Sequence, residues 1–227
     1  AFANNQGAVY SFCGNSQQNA ITPFSPVLDS VTPPGQAWYF WNMDTDEPLL
    51  RLPLTLGDGV GTDEGLLSKF RPGSVRYSAR RCDFVVEMDV FTLPEQAAEG
   101  RLLTLRNAGR QTLRLRVSAC LQLVLAELPE DSRGSLKVHW DATQNAFFAE
   151  NPSQQFCCGP AFIATTFLPE AMETVYSHFI GDSGSVEMPY MARNGKPDTA
   201  AADTGYRVAA FTQVVVIPPG QSVQLGL

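Results

Sequence analysis

Leu113, Leu115, Val117, Ala119, Leu121, Leu123 and Leu125 recur at every second position, alternating with Arg114, Arg116, Ser118, Cys120 and Gln122. A helix would scatter alternate residues over both of its faces, whereas a strand lines them along one. The stretch therefore reads as a long β-strand with one buried and one more polar side. The same period recurs in Phe84, Val86, Met88 and Val90, and in Tyr206, Val208, Ala210, Thr212, Val214 and Val216. Between Arg101–Asn107 and Gln111–Glu127 the chain breaks at Asn107-Ala108-Gly109-Arg110. Asn and Gly tolerate positive φ, so this break predicts a hairpin that pairs the two strands antiparallel.

Proline and glycine punctuate the remainder. Pro33-Pro34-Gly35 precedes Trp38-Tyr39-Phe40-Trp41, Pro72-Gly73 precedes Val75-Arg76-Tyr77, and Pro218-Pro219-Gly220 precedes Val223-Gln224-Leu225. Each reads as a turn feeding a strand. No sustained 3.6-residue period is present; Pro94 to Glu99 and Ala200 to Asp203 are the only helical candidates, one turn each, and less than about a tenth of the chain is expected to be helical. With 227 residues, 44% of them hydrophobic, the chain can bury a sizeable core as one large domain. The reading is all-β, a sandwich of antiparallel strands in a single domain over 1–227 with no linker. Leu128–Ser135, Gly57–Gly65 and Gly181–Asp203 read as exposed excursions.

Charge narrows the partners. Sixteen Lys and Arg against 23 Asp and Glu leave a net charge of −7, which opposes a phosphate backbone or an anionic lipid surface. The expectation is no nucleic acid and no direct membrane contact. The amino-terminal ten residues lack the pattern of a secretory signal. The five cysteines, Cys13, Cys82, Cys120, Cys157 and Cys158, are odd in number and without C-x-x-C spacing, so free thiols in a reducing compartment are expected.

Candidate chemistry is sparse. Gly57 to Gly65 is glycine-rich and acidic but lacks the Gly-Lys-Ser/Thr of a phosphate loop and the ligand order of an EF-hand. His139 and His178 have no second histidine nearby, so no metal site is expected, and no cofactor. Glu87 and Asp89 share one strand face, either as a solvated pair or as an acid and base. His139-Trp140-Asp141 could line a sugar site or an interface. Gly73-Ser74 and Gly134-Ser135 lack the setting of a nucleophile elbow.

A family resemblance enters at Gly14-Asn15-Ser16-Gln17-Gln18-Asn19-Ala20-Ile21-Thr22-Pro23-Phe24, followed by Pro34-Gly35-Gln36-Ala37-Trp38-Tyr39-Phe40 and Asp44-Thr45-Asp46-Glu47-Pro48. These segments resemble the amino-terminal β-domain of glycoside hydrolase family 94 enzymes, in the branch of cyclic β-1,2-glucan synthase and 1,2-β-oligoglucan phosphorylase. Asn15, Ser16, Asn19, Thr22, Pro23, Pro34, Gly35, Ala37 and Tyr39 match that branch; Gln17, Gln18 and Phe24 replace a charged pair and a Trp. Arg101 to Asn107, Phe179-Ile180-Gly181 and Val214 to Gln221 follow in colinear order.

The resemblance implies a supersandwich of the galactose mutarotase-like type. It also implies an excised, non-catalytic part of a larger enzyme whose (α/α)6 catalytic barrel would follow residue 227. A β-glucan oligosaccharide, that barrel and a second copy in a homodimer are its implied partners. Its implied location is the cytoplasm, or the cytoplasmic face of the inner membrane for a cyclic glucan synthase. The alternative is a free-standing carbohydrate-binding or mutarotase-like protein, although neither histidine has a mutarotase-like context. By position in the family, Gln17, Gln18 and Asn19 reach the glucan or the interface; by their chemistry, aromatic Trp41 could supply a stacking face and basic Arg71 a hydroxyl or phosphate contact. Otherwise all five simply close turns.

Overall fold

The computed structural model describes residues 1–5, 7–15, 18–23, 35–53, 65–154 and 159–227. The Gly57–Glu64 part of the glycine-rich loop, Cys157, Cys158 and Gln17 lie outside them. In chain order the strands are β1 (Phe2–Ala3), β2 (Val9–Tyr10), β3 (Gln36–Asn42), β4 (Glu47–Leu52), β5 (Leu67–Arg71), β6 (Ser74–Arg81), β7 (Phe84–Thr92), β8 (Glu99–Asn107) and β9 (Leu113–Leu123). After the short helix α1 (Pro129–Ser132) come β10 (Lys137–Asp141), β11 (Ala146–Glu150), β12 (Ala161–Ala164) and β13 (Ala171–Val175). Helices α2 (Tyr176–Ile180) and α3 (Tyr190–Asn194) precede β14 (Arg207–Ile217) and β15 (Ser222–Gly226). All pairing is antiparallel.

Two five-stranded sheets, ordered β13-β14-β9-β3-β4 and β15-β8-β7-β6-β5, face each other across the main core. Alternation dictates the facing. Phe84, Val86, Met88 and Val90 of β7 point inward while Val85, Glu87 and Asp89 point out; Leu115, Val117, Ala119, Leu121 and Leu123 of β9 do the same from the opposite sheet. The rings of Phe40 and Phe84 meet across the gap at 5.3 Å. Each such side chain contributes about 2 kcal/mol by leaving water, and that is what holds the layers together. A three-stranded sheet, β10-β11-β12, closes one flank, its inner residues Val138, Trp140, Phe147, Ala149, Ala161 and Ile163 packed on the same core.

Four expectations need correction. The Asn107 to Arg110 break is not a hairpin: β8 pairs with β7 and β15, β9 with β14 and β3. Both strands carry one apolar face, and those faces bury each other better across the sandwich than side by side within one sheet. Pro94 to Ala98 and Ala200 to Asp203 are turn and loop, Glu99 already opens β8, and the helices among the described residues are α1, α2 and α3. Gly181–Asp203 is not an exposed excursion. It carries α3, whose Met191 and Ala192, with Phe179 of α2, bury a second core against Ala37, Tyr39, Cys120, Val208 and Ala210 on the outer side of the first sheet. For the same reason the β14 face that reaches the main core is Ala209, Phe211, Val215 and Ile217, whereas Val208 and Ala210 lie under the helices. Both faces of β14 are apolar there, so its period alone does not tell inside from outside.

Candidate functional site

At the end of β9 the chain leaves the sheet through Val124, Leu125 and Ala126. Residues 18–23 run alongside: Ala20 N donates to Ala126 O at 3.0 Å and Val124 N to Ile21 O at 2.9 Å. Leu125 sits at φ +46°, a left-handed position that costs a non-glycine residue energy. Asn151, directly after β11, holds it there by donating from Nδ2 to Leu125 O at 3.1 Å, while its Oδ1 accepts from Ser135 Oγ and Ser153 N, both at 3.1 Å. Gln154 Nε2 donates to Gln18 O at 2.7 Å, and Leu128 N to Asp131 Oδ2 at 3.1 Å.

These bonds shape a cleft of about 220 Å³ lined by Gln18, Ala126, Glu127, Asp131, Asn151, Ser153 and Gln154. Its polar lining is amide, hydroxyl and carboxylate, set beside Ala126 and the apolar parts of the longer side chains. Amides both donate and accept, and ionised carboxylates accept, a set that matches a polyhydroxylated ligand. No group of three or more His, Cys, Asp or Glu that could hold a metal occurs among the described residues.

The segment carrying Gln18 is anchored from below. Gln36 Nε2 donates to Ser11 Oγ at 3.0 Å, Arg101 Nε to Gln36 Oε1 at 2.6 Å, and Arg101 also pairs with Glu99. Ser11 Oγ donates to Glu99 as well, and Ser11 O accepts from Ile21 N at 2.8 Å. A buried guanidinium needs such complete pairing to be tolerated.

Of the residues singled out in the sequence, Gln18 lines the cleft. Its Oε1 accepts from Asn15 Nδ2 at 2.9 Å. Asn19 is adjacent but turned away, buried, with Nδ2 reaching Cys13 O at 3.3 Å. Trp41 lies toward the far end of β3, about 17 Å along the strand from the cleft side. It is buried and donates Nε1 to Asp46 Oδ1 at 3.0 Å. Arg71 is exposed on the edge strand β5 of the other large sheet. Glu127, Asp131, Asn151, Ser153 and Gln154 were missed by sequence reasoning. The one available signal was a long apolar strand ending abruptly in Glu127-Leu128-Pro129-Glu130-Asp131.

The other candidates resolve differently. Glu87 and Asp89 do share an outward face, but Arg76 clamps them: Nε and Nη2 each reach Asp89 at 2.7 Å, and Nη1 lies 3.8 Å from Glu87. Hydrogen bonding to Asp89 in turn raises the Arg76 pKa. His178 Nδ1 lies 3.2 Å from Glu173 Oε2. His139-Trp140-Asp141 forms part of β10, with Trp140 turned inward against Phe147 at 4.8 Å. Asp141 is held below the usual carboxylate range by hydrogen bonds from Thr143.

The family model of the glycosyl hydrolase 94 supersandwich domain matches residues 1–226. The chain belongs to that family. No curated protein matches it. The two facing antiparallel sheets described above are thus the supersandwich of glycosyl hydrolase 94, and the association of this domain with carbohydrate-active enzymes puts a polar, amide-lined cleft in a fitting context. No helix among the described residues is long and apolar enough to cross a membrane.

Proposed function

We propose that this supersandwich serves as the non-catalytic accessory domain of a β-glucan-active enzyme, of the cyclic β-1,2-glucan synthase or 1,2-β-oligoglucan phosphorylase kind, working on the cytoplasmic side. It packs on the (α/α)6 catalytic barrel of the same parent chain and presents its cleft to the glucan. The observation that carries this reading is the cleft itself. Gln18, Asn151 and Gln154 come from distant stretches of sequence and are fixed by hydrogen bonds, so the polar wall they form is already in place for sugar hydroxyls, with little ordering left to do on binding. The resemblance of the segment around Gln18 to the cyclic glucan synthase branch directs the choice of substrate.

The test is binding of a short β-1,2-linked gluco-oligosaccharide to the chain, followed by titration calorimetry. Gln18→Ala and Gln154→Ala together are expected to weaken it about tenfold, the loss of one or two hydrogen bonds. Both side chains are partly exposed, so the melting temperature should move little. In the parent enzyme the same pair raises KM for glucan. Unchanged affinity and unchanged KM would return these residues to closing turns. With phosphate added, the chain alone should release no glucose 1-phosphate.

A further inference from the structure

The outer face of the three-stranded sheet carries residues that the fold does not require. Outward positions on a one-sided sheet are ordinarily polar, yet here His139, Phe148 and Phe162 stand in one row, in register across β10, β11 and β12. Their ring centroids are 5.7 and 6.4 Å apart, and Phe162 is 62% exposed. On one side of the row lies the Lys137 and Glu150 cross-strand pair; on the other lie Asp141, Ala146 and Ala164. The rings therefore stand out from the face, with Lys137 and Glu150 along one margin and Asp141 along the other, where Ala146 is buried.

We propose that this row is a platform on which a β-glucan chain lies by its pyranose faces, extending the cleft along the outer side of the sheet. Three observations select a glycan over a protein. Three rings, one of them half-buried, offer on the order of 300 Å², well short of the roughly 800 Å² per partner of a stable protein interface. The row contains no aliphatic side chain, and its margins carry charges of both signs, which suits hydroxyl groups. The middle of the row also lies near the site already described: Asn151, which lines the cleft, follows β11 directly, about 10 Å along the chain from Phe148, the central ring. A saccharide longer than the cleft has this surface as its next contact. The inference rests on the accessory-domain reading and adds a second subsite to it.

Chain length separates the two. Affinity is measured for a β-linked glucose disaccharide and for a long soluble β-1,2-glucan, with the unchanged chain, Phe162→Ala, Phe162→Tyr and the double variant Gln18→Ala with Gln154→Ala. The expected result is that Phe162→Ala weakens the long glucan about five- to tenfold, leaves the disaccharide unaffected, and is rescued by Phe162→Tyr, which restores the ring. The platform is overturned if Phe162→Ala leaves the long glucan unaffected, or weakens both ligands equally. It is also overturned if the row mediates self-association that Phe162→Ala abolishes in sedimentation. In each of those cases loss of disaccharide binding in the glutamine variant would still stand for the cleft. Failure of the disaccharide to bind the unchanged chain, with a long glucan still sensitive to Phe162→Ala, would remove the cleft and keep the platform.

Discussion

Asn107 shows how one side chain can decide where strands go. It is buried, 1% exposed, and its Nδ2 donates to Gln111 O at 2.6 Å and to Ile217 O at 2.8 Å, while Oδ1 accepts from Gly109 N at 2.9 Å. Its backbone exchanges bonds with Gly220 N and Gln221 O, both at 3.0 Å. Two of the places where the chain passes from one large sheet to the other, after β8 and after β14, are thereby tied at a single residue. Read in sequence, the same Asn looks like an ordinary turn former, because its local preference is satisfied equally by a hairpin and by a crossing. Replacing it with Ala strands Ile217 O in the core and removes the bonds to the more exposed Gln111 and Gly109; a buried orphaned group costs about 1–3 kcal/mol and each further lost bond about 1 kcal/mol. Asn107→Ala should therefore lower stability by about 3 kcal/mol in urea unfolding, and Asn107→Asp should recover none of it at neutral pH, because a carboxylate oxygen then faces the two carbonyl oxygens that Nδ2 serves. A loss below about 1 kcal/mol would mean that water replaces these bonds.

At the scale of elements, the helical cover over the first sheet explains why β3 and β14 are apolar on both faces. Tyr39 OH donates to Val186 O at 2.7 Å, with Arg51 Nη1 reaching the same oxygen at 3.2 Å, and burial drives the Tyr39 pKa far up. Thr212 Oγ1 donates to Gly195 O at 3.1 Å. The cover turns at Gly184, where an added Cβ would run into the carbonyl oxygen of Ile180 and come within 2.9 Å of Tyr190 N. Both are backbone atoms and cannot swing aside. Gly184→Ala is expected to destabilise the chain by about 2 kcal/mol and to raise amide exchange selectively over 176–206, leaving the sandwich strands protected. Uniform loss of protection would show that the cover and the sandwich unfold as one unit. Helices this short carry no periodic signature; what builds them is the apolar outer face beneath, contributed by strands far away in sequence.

The whole molecule buries its tyrosines deeply enough to shape its pH response. Tyr77, fully buried in the main core, donates its hydroxyl to Asn4 O at 2.6 Å, and burial pushes its pKa from 10.0 up to about 12. Tyr39 and Tyr176 are raised further by the same cause. For a group whose folded pKa exceeds its unfolded one, the stabilisation is complete below the unfolded value and drains away as pH climbs to the folded value. Stability should consequently be flat with respect to tyrosine below about pH 10 and fall by about 2–3 kcal/mol per such residue between about pH 10 and 12. Denaturant titrations at stepped pH measure this, with tyrosinate absorbance reporting the coupled ionisation. Tyr77→Phe should flatten the slope, and an unchanged slope would mean that Tyr77 ionises while folded.

The strands were legible in the sequence because alternation is local: whether Val86 or Val117 faces in or out is a property of a few consecutive residues, and β7 and β9 follow it residue by residue in Val86, Met88, Val117 and Leu121. Alternation led only to an all-β sandwich; the supersandwich and its family followed from a resemblance that begins at Gly14–Phe24 and Pro34–Phe40 and continues in colinear order. Partnership was not legible, since β8 and β9 present equally good edges to several strands and only the burial of their apolar faces against each other across the core chooses among them. The cleft was legible at one of its corners, Gln18; Asn151 and Gln154 join it because β11 ends beside the exit of β9. Local chemistry determines which stretches extend and which turn, and three-dimensional burial decides which of their polar ends meet.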